Sequence, residues 1–420
     1  MLSISDIRFA SRIGFTRGSG WLLALSGDRL ARLGNAPWRM DPYPIYAELR
    51  ATGPWLPSRT GMTMAPGYHL CDAVLRDRRF GVQRSTASPP SYQAQFLADI
   101  EATPSFLDLD PPEHTRLRGL ARPAFSARKI TGYRPAVERV TKELLDRATS
   151  KGSFDLIADF ATPLPIAVIS DLLGIPDVDA EIFADYGTAL VASLDGVRSL
   201  RHARELKEAT AQLHSLFTRL ADERTSDPGD DVISALATAR AEQRLTGLEL
   251  VATCRLLLIA GFETTVNLIG NAVSALLRHP AQWGLLCTDP DLAERAVEET
   301  LRYDPPIQLT GRFAKEDFEF GGHRFRRDDV VVLLLGATGR DERVFARPDE
   351  FDITRTPEAG HLAFSSGIHY CLGAPLARME GAVALRALAE RAPDLRPAGP
   401  ERRRNTTVIR GLRRLPVRTG

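Results

Sequence analysis

The feature that most constrains this 420-residue chain is a short run around Cys371. Residues 364–377 read FSSGIHYCLGAPLA, which places turn-forming residues directly before a helical pattern. A thiol at that point is surrounded by backbone N–H groups that have no partner inside the helix. These donors and the helix dipole favour the thiolate, a soft ligand for a transition metal. Small neighbours, Gly367, Gly373 and Ala374, would let a flat group lie against the backbone.

Taken alone, Cys371 would be interpreted as a small buried apolar residue, as most lone cysteines are. Its neighbours favour another interpretation, because the run resembles the haem-binding loop of the cytochromes P450. That loop reads Phe-Gly-x-Gly-x-His-x-Cys-x-Gly followed by Leu-Ala. The matching residues are Phe364, Gly367, His369, Cys371, Gly373, Leu376 and Ala377. Ser365 departs from the pattern, because it stands at the family's first glycine.

The resemblance implies that the cofactor is haem b (iron protoporphyrin IX) and that the Cys371 thiolate is the iron ligand. It also implies that Phe364, His369 and Gly373 belong to the haem-binding loop. The donation of electron density by the thiolate favours O–O bond cleavage.

Hydrophobic periodicity predicts a mainly α chain with a small β region. Helical spacing dominates from about residue 115 to 300, short strands and turns follow, and helix returns after Pro375. Short strands are predicted at Met62–Ala65 and Tyr68–Leu70, and a buried strand at Val330–Leu335.

The P450 resemblance implies a single-domain cytochrome P450 fold over residues 41–420, with its first helix near Tyr43. Residues 1–40 are then an N-terminal extension. A short amphipathic helix packed on the body is favoured for this extension over a membrane-surface anchor. Residues 82–105 have little periodicity and are rich in Ser, Pro and Gln, so they are predicted to form a loop.

The long helix predicted from Thr246 to Arg278 carries a second signal. Thr246 and Glu249 form a capping box at its start. The sequence AGFETT at 260–265 then interrupts an apolar run, and such conflicts with local propensity are expected at functional sites.

This segment resembles the oxygen-activation helix of the family. The resemblance assigns to Thr264 a hydrogen bond beside the reacting oxygen and to Glu263 the relay of protons from solvent. Ala260 and Gly261 would keep the helix close to the haem face. The alternative, without the Cys371 loop, is that Thr264 bonds back to the Ala260 carbonyl and Glu263 faces solvent.

His114 and Arg118 lie four residues apart and project from one predicted helical face. Two such donors suit a carboxylate-bearing ligand, with a solvated basic face as the alternative. The resemblance assigns this pair to one haem propionate, and Arg312 and His369 to the other. A proximal basic patch for an acidic redox protein is a further hypothesis, with the members Arg116, Arg122, Arg128 and Arg378.

Glu299 and Arg302 lie three residues apart, which puts the carboxylate and the guanidinium on one helical face. An exposed helical ion pair is the simple interpretation. In this position, before Pro305-Pro306 and the Cys371 loop, the pair resembles the family's structural Glu–Arg pair, with Arg355 as its third member. The implied role is folding and haem retention.

Composition limits the partners. The formal net charge is +1, and no basic run interleaved with aromatic residues occurs, which argues against nucleic acid as a partner. The four cysteines are far apart and form no C-x-x-C pair, which fits a reducing cytoplasm better than a disulfide framework or a zinc site. No unbroken apolar segment reaches the ~18–20 residues that span a bilayer, so no transmembrane segment is predicted.

The resemblance implies a monooxygenase that inserts one oxygen atom of O2 into its substrate. No dinucleotide-binding or P-loop motif follows a strand, so electrons are expected from a separate ferredoxin-type partner and its reductase. The predicted pocket is mostly apolar and suits a lipophilic small molecule. By position in the family pattern it comprises residues 82–105 and 180–215, Ile259, Ala260, Gln308, Leu309, Thr406, Thr407 and Val408.

Two alternatives remain open from the sequence. One is a haem-thiolate peroxygenase or isomerase that needs no external electrons, against which the Glu263–Thr264 pair argues. The other is a haem-binding sensor without turnover.

Overall fold

A computed structural model of the chain describes residues 4–85, 103–176, 197, 199–356 and 359–420. These residues form a large helical body with a small β region, as the periodicity predicts. The helices are α1 (Ile4–Leu25), α2 (Arg29–Leu33), α3 (Tyr43–Thr52), α4 (Tyr68–Arg76), α5 (Glu113–Ala121), α6 (Ala127–Thr149), α7 (Pro163–Leu173), α8 (Leu200–Ser226), α9 (Val232–Ala241), α10 (Gly247–Arg278), α11 (Pro280–Thr288), α12 (Ala293–Tyr303), α13 (Leu335–Thr338) and α14 (Ala374–Arg391).

The strands are short, and most of them come from the C-terminal half of the chain. They are β1 (Leu56–Pro57), β2 (Thr63–Ala65), β3 (Phe80–Gly81), β4 (Ser153–Asp155), β5 (Thr310–Ala314), β6 (Phe318–Phe320), β7 (His323–Phe325), β8 (Val330–Leu333), β9 (Arg396–Pro397), β10 (Arg402–Arg403), β11 (Leu412–Arg414) and β12 (Pro416–Arg418). The main sheet has the order β1-β2-β8-β5-β3.

Strand β8 is the centre of this sheet, parallel to β2 and antiparallel to β5. Its residues after Val330 are buried, which explains the continuous β-branched run. The strand predicted at Val330–Leu335 is confirmed over its first four residues, and Leu335 begins α13 instead. The strand predicted at Met62–Ala65 is confirmed as β2.

The strand predicted at Tyr68–Leu70 is wrong, because these residues are the first turn of α4. The buried residues of this segment are Cys71, Val74 and Leu75. Their spacing of three and four residues is that of a helix packed on one side. Tyr68 and Leu70 alone have the composition of a short strand, and the helical period appears only when residues 71–75 are included.

Helix α10 runs through the helical body, where α7, α8 and α14 pack against it. Its capping box is confirmed: Thr246 Oγ1 accepts from the Glu249 N–H at 3.2 Å, and Glu249 accepts from the Thr246 N–H at 2.7 Å. Among the described residues, α10 is the one helix long and apolar enough to cross a membrane. However, 72% of its most apolar 18-residue window is buried, so packing accounts for its composition.

The N-terminal segment is tied to the body at Asp28. This carboxylate caps α2 through the Ala31 N–H at 2.8 Å, and it accepts from the Ser58 hydroxyl at 2.9 Å and the Arg59 N–H at 2.7 Å. Helix α1, in contrast, leaves several large apolar side chains exposed, namely Phe15, Trp21, Leu22 and Leu25. A helix is therefore present in residues 1–40. It contacts α2 and α8, but these four side chains remain exposed.

Candidate active site

The Cys371 loop is closed by its own backbone. The Cys371 N–H donates to the Phe364 carbonyl at 2.9 Å, and the Ser365 N–H donates to the Leu362 carbonyl at 2.8 Å. Helix α14 begins three residues after Cys371, with Gly373 as its N-cap. The thiol therefore lies just before a helix N-terminus, as the sequence predicts.

Two residues of this loop have a left-handed backbone, Ser365 with φ 63° and Gly367 with φ 67°. Gly367 lies against the end of α4, where a Cβ atom would come within 2.3 Å of the Leu75 carbonyl oxygen. Ser365 adopts its conformation despite having a side chain, and its buried hydroxyl makes no hydrogen bond to any described residue. Ser365, which stands at the family's first glycine, is thus compatible with the closed loop, but its left-handed backbone is strained.

The pKa of the Cys371 thiol is raised, and burial is the main cause. The N–H groups of Gly373 and Ala374 and the charges of Arg118 and Arg378 lower it, but they do not outweigh burial. The N–H groups of the helix N-terminus therefore act in the predicted direction, but the loss of solvation is larger. A metal ion bound to the sulfur would reverse this balance, since a coordinating thiol is deprotonated.

Four cation-capable side chains converge beside this loop. The ring centroids of His114 and His369 are 4.4 Å apart, and Arg312 and Arg118 act electrostatically on His369. Burial and the neighbouring Arg312 lower the pKa of His369 to about 3, and burial lowers the pKa of Arg312 to about 10. The structure thus brings together the four residues that the sequence assigns to the two propionates.

Within the described ranges, no carboxylate forms an ion pair with this basic cluster. Asp110 acts on it from a distance, but the Asp110 carboxylate is paired with Lys315 at 3.1 Å. Neither ring nitrogen of His114 makes a well-aligned hydrogen bond to a described residue, and the same holds for His369 Nε2. Buried polar atoms without partners, in a site of one charge sign, are the signature of a site for an anion.

Helix α10 has an exposed point in its otherwise buried middle. Ala260 is exposed and Ile259 and Thr264 are partly exposed, whereas Phe262, Glu263 and Thr265 are buried. Thr264 Oγ1 donates to the Ala260 carbonyl at 2.8 Å, which is the back-bond of the simpler interpretation. The hydroxyl oxygen keeps its lone pairs for a second partner on this open face.

Gly261 lies on another side of the helix, where a Cβ atom would come within 2.6 Å of the Ile169 side chain of α7. The structure therefore gives this glycine a helix-packing role. The sequence assigns it a close approach to the haem face.

Glu263 does not face solvent, because its side chain is only 1% exposed. Its Oε1 lies 2.5 Å from Nη1 of Arg404, a residue between β10 and β11. Burial raises the pKa of Glu263, and the charge of Arg404 opposes this shift. Arg404 is not predictable from the sequence as the partner of Glu263, because it lies far away in the chain and no motif connects the two residues.

The predicted Glu299–Arg302–Arg355 contact is confirmed. Arg302 donates two hydrogen bonds of 2.8 Å to Glu299, and Arg355 Nε lies 3.3 Å from the same carboxylate. The Asp352 N–H adds a bond of 2.8 Å, and Arg302 also donates to the Gly339 carbonyl at 2.6 Å. The cluster is buried and joins α12 to the segment that precedes the Cys371 loop.

The four arginines of the predicted basic patch have unequal surroundings. Arg116 is paired with Glu113 and Glu249, and Arg378 is paired with Glu298 at 2.6 Å. Arg122 and Arg128 are exposed and form no salt bridge to a described residue.

Much of the predicted pocket lies outside the described residues, namely 86–102 and most of 180–198. Of the remainder, Gln308 is 1% exposed and its side chain bonds to the Tyr46 hydroxyl at 3.1 Å and the Pro305 carbonyl at 2.8 Å. This residue therefore has a structural role in place of the predicted contact with substrate. Leu309, Thr406, Thr407 and Val408 are partly exposed.

Comparison with known proteins agrees with this geometry. The cytochrome P450 family profile matches residues 290–391. Cytochrome P450 107B1 of Saccharopolyspora erythraea is 44% identical over 77% of this chain and 81% of its own length. The biotin biosynthesis cytochrome P450 of Bacillus subtilis is 39% identical over 90% of this chain and 96% of its own length.

Solved structures show the same fold. P450BioI in complex with an acyl carrier protein that carries hexadec-9Z-enoic acid has a TM-score of 0.85 and 38% identity, over 91% of this chain and 99% of its own. Mycobacterium smegmatis CYP164A2 in its ligand-free state has a TM-score of 0.84 and 40% identity, over 93% of this chain and 99% of its own. The chain belongs to the cytochrome P450 family and is a haem b monooxygenase of the bacterial kind.

Proposed function

We propose that this chain inserts one oxygen atom of O2 into a lipophilic small molecule, with electrons from a separate ferredoxin and its reductase. The observation that carries the proposal is the basic cluster of His114, Arg118, Arg312 and His369 beside the Cys371 loop. Two arginines and two histidines meet there, and no carboxylate of the described residues forms an ion pair with any of them.

The residues present fit haem. Cys371 would hold the iron through its sulfur, and the basic cluster would bind the two propionates as charge-assisted hydrogen bonds. Gly367 and Gly373 keep side chains away from the loop backbone, and Ala260 offers a small surface in the middle of α10. Phe364 packs under Arg378, whose guanidinium lies 4.6 Å from the ring centroid, at the edge of the same loop.

The bound haem supplies the activation of O2, and the protein side chains move the protons. Thr264 can accept a hydrogen bond while its own proton bonds to the Ala260 carbonyl, so it can orient a donor on the open face of α10. Glu263 is the nearest acid in sequence, and we assign it the transfer of protons from the solvent side. This assignment requires the Glu263 side chain to leave its ion pair with Arg404.

A lipophilic substrate is supported by the ligands of related proteins. Structures similar to this chain have been solved with myristic acid bound to CYP267B1 and testosterone bound to CYP109E1. Ile259 and Leu309 would offer apolar contacts for such a molecule.

We place the redox partner on the surface outside the Cys371 loop, where Ile368 and Tyr370 are exposed. Arg122 and Arg128 supply positive charge that an acidic ferredoxin would complement. Arg116 and Arg378 contribute less, because both are already paired with carboxylates. A cytoplasmic location follows for a chain that depends on soluble electron carriers.

The first experiment is the absorption spectrum of the dithionite-reduced protein with and without carbon monoxide. We expect a strongly red-shifted Soret band, and its loss in Cys371→Ser. A band typical of neutral or histidine ligation would contradict the thiolate assignment. Absence of haem would contradict the proposed function as a whole.

Turnover separates this proposal from its alternatives. In Thr264→Ala we expect electron consumption to continue while product falls and peroxide rises, measured with a ferredoxin and reductase system. An enzyme that uses peroxide or rearranges its substrate would form product without reductase. A sensor would form no product even in the wild type. If product per electron is unchanged in Thr264→Ala, Thr264 has no role in proton delivery.

A further inference from the structure

Strands β10 and β11 pair in antiparallel fashion, and together with the residues between them and the preceding Glu401 we call them the C-terminal hairpin. This hairpin is attached to α10 through polar contacts. The contact residues of α10 recur at intervals of four, four and three, which places them on one helical face. We call this face, together with Asp304 and the hairpin residues Glu401, Arg403, Arg404 and Arg410, the polar seam. Its members on α10 are Glu263, Asn267, Asn271 and Ser274, all of them buried.

The hairpin reaches this face at three levels. Arg404 pairs with Glu263, Asn271 donates to the Arg410 carbonyl at 3.2 Å, and Ser274 donates to Glu401 Oε2 at 2.5 Å. Burial of these polar groups costs free energy unless each has a partner, so the attachment of the hairpin depends on specific pairs and not on apolar packing alone.

The seam is also incompletely hydrogen-bonded. Asn267 and Asn271 are both fully buried, yet the side-chain oxygen of each makes no hydrogen bond to any residue that the structure describes. Buried amide oxygens are normally bonded to protein or to ordered water. We therefore expect ordered water along the seam.

Arg404 stands between Glu263 and solvent. Its side chain is 19% exposed, whereas that of Glu263 is 1% exposed. The hairpin fixes the position of Arg404, because the Arg404 N–H donates to the Gly411 carbonyl at 3.0 Å. The contact with Glu263 is a close ion pair without aligned hydrogen-bond geometry, so the attraction between the charges holds it and not a directed hydrogen bond.

The charge of Arg404 is the one that acts on Glu263. The other charges of the seam compensate one another, since Asp304 pairs with Arg410 at 2.7 Å and with Arg403 at 3.5 Å, and Arg403 lies 3.2 Å from Glu401. A substitution of Arg404 therefore changes the electrostatic potential at Glu263 and leaves the other ion pairs of the polar seam intact.

We propose that Arg404 is the positioning residue of Glu263: it holds the acid on the solvent side of α10 and controls its proton exchange with solvent through the polar seam. Arg404 touches neither substrate nor haem and acts through Glu263. The inference rests on the proposed monooxygenase function and adds to it the route by which protons enter.

Three variants test this inference in the haem-loaded enzyme. Arg404→Gln removes the positive charge and keeps a side chain of similar length. Arg404→Lys keeps the charge but replaces the planar guanidinium by an ammonium group. The matched control is Arg402→Gln, at an exposed position of the same hairpin. Haem content and thermal unfolding are measured for all three.

The first readout is the protonation of Glu263, followed as its carboxyl C=O band in an infrared pH titration and identified by its loss in Glu263→Gln. Burial raises the pKa of Glu263 and Arg404 opposes it, so in Arg404→Gln the protonated band should persist to higher pH. Arg404→Lys should restore most of the wild-type titration. A titration that is unmoved in Arg404→Gln overturns the proposal.

The second readout is turnover in normal and heavy water with a ferredoxin and reductase system. In Arg404→Gln we expect product per electron to fall by roughly tenfold, with a larger solvent isotope effect. This is less than the ~10²–10⁴-fold that a proton-transfer group itself contributes, because Glu263 is still present. Arg402→Gln should behave as wild type. Equal isotope effects and coupling in all variants overturn the proposal.

Failure of the proposed function looks different. It would appear as absence of the red-shifted carbon monoxide band or of product in wild type. If only the present inference fails, the wild type still shows the carbon monoxide band and forms product, and the Arg404 variants behave as the wild type. If Arg404→Gln does not fold, Arg404→Met takes its place, because it is also uncharged and of similar length, and it should shift the Glu263 titration upward relative to Arg402→Gln.

Discussion

At the scale of single residues, two positions of the Cys371 loop have the same backbone conformation but different residue types. Gly367 and Ser365 share a left-handed conformation, but only Gly367 has a backbone carbonyl in the place of a Cβ atom. Ser365 has room for its side chain and bears only the cost of its conformation, roughly 1–2 kcal/mol, and of its unbonded hydroxyl.

We predict that Ser365→Gly stabilises the protein. The substitution removes the strain and the buried hydroxyl, and it adds the larger unfolded-state entropy of glycine, so the free energy of unfolding should rise by about 1 kcal/mol. Denaturant unfolding of the haem-loaded protein measures the change. Ser366 is the control, because its φ of −150° is ordinary extended backbone and Ser366→Gly should lower stability. Equal effects at both positions would contradict the strain at Ser365.

At the scale of elements, buried ion pairs join segments that are far apart in the chain. The Glu299–Arg302–Arg355 cluster ties α12 to the segment before the Cys371 loop, and Asp304 ties the end of α12 to the C-terminal hairpin and to Tyr43 of α3. Loss of one partner leaves the others charged and buried, which costs more than the pair itself contributes.

Glu299→Gln should lower the free energy of unfolding by about 3–5 kcal/mol and weaken haem retention, because Arg302 and Arg355 lose their shared carboxylate. Thermal unfolding and haem loss to apomyoglobin measure these effects. Glu294→Gln, an exposed change on the same helix, should have little effect. A stable, haem-retaining Glu299→Gln protein would contradict the structural role.

Asp304 should give stability a defined pH dependence. Its pKa is lowered to about 2, with Arg410 as the main favourable cause against burial. The unfolded chain has a pKa of about 3.9 at this residue, so protonation favours unfolding as the pH falls from about 4 to 2. The stability difference between wild type and Asp304→Asn should therefore narrow by about 2 kcal/mol over this range in urea unfolding. The exposed pair of Asp291 with Arg386 is the control, and Asp291→Asn should differ little from wild type at any pH.

At the scale of the whole molecule, the catalytic body and α1 are unequally packed. Asp28 fastens the chain to the body, whereas Phe15, Trp21, Leu22 and Leu25 are exposed on the preceding helix. We predict that deletion of residues 1–25 preserves the carbon monoxide spectrum and most of the thermal stability. Self-association, measured by analytical ultracentrifugation, should decrease. Loss of haem on deletion would show that α1 supports the body.

The sequence by itself determined the helix with its capping box, the β8 strand and the position of the thiol before α14. These features follow from local rules: side-chain capping, period and the turn residues of one short run. The contact of Glu299 with Arg302 belongs here too, since residues three apart on a helix must meet. The assignment of haem needed only the pattern around Cys371.

Only the tertiary structure decided the environment of each site residue. The sequence predicted backbone donors that favour the Cys371 thiolate and a Glu263 that relays protons from solvent. Burial outweighs those donors, and Arg404 of the C-terminal hairpin pairs with Glu263. Gln308 was likewise predicted to line the pocket, but its side chain is buried and hydrogen-bonded to Tyr46 and Pro305. Desolvation and long-range pairing depend on which distant segments meet, and no local pattern in the chain specifies them.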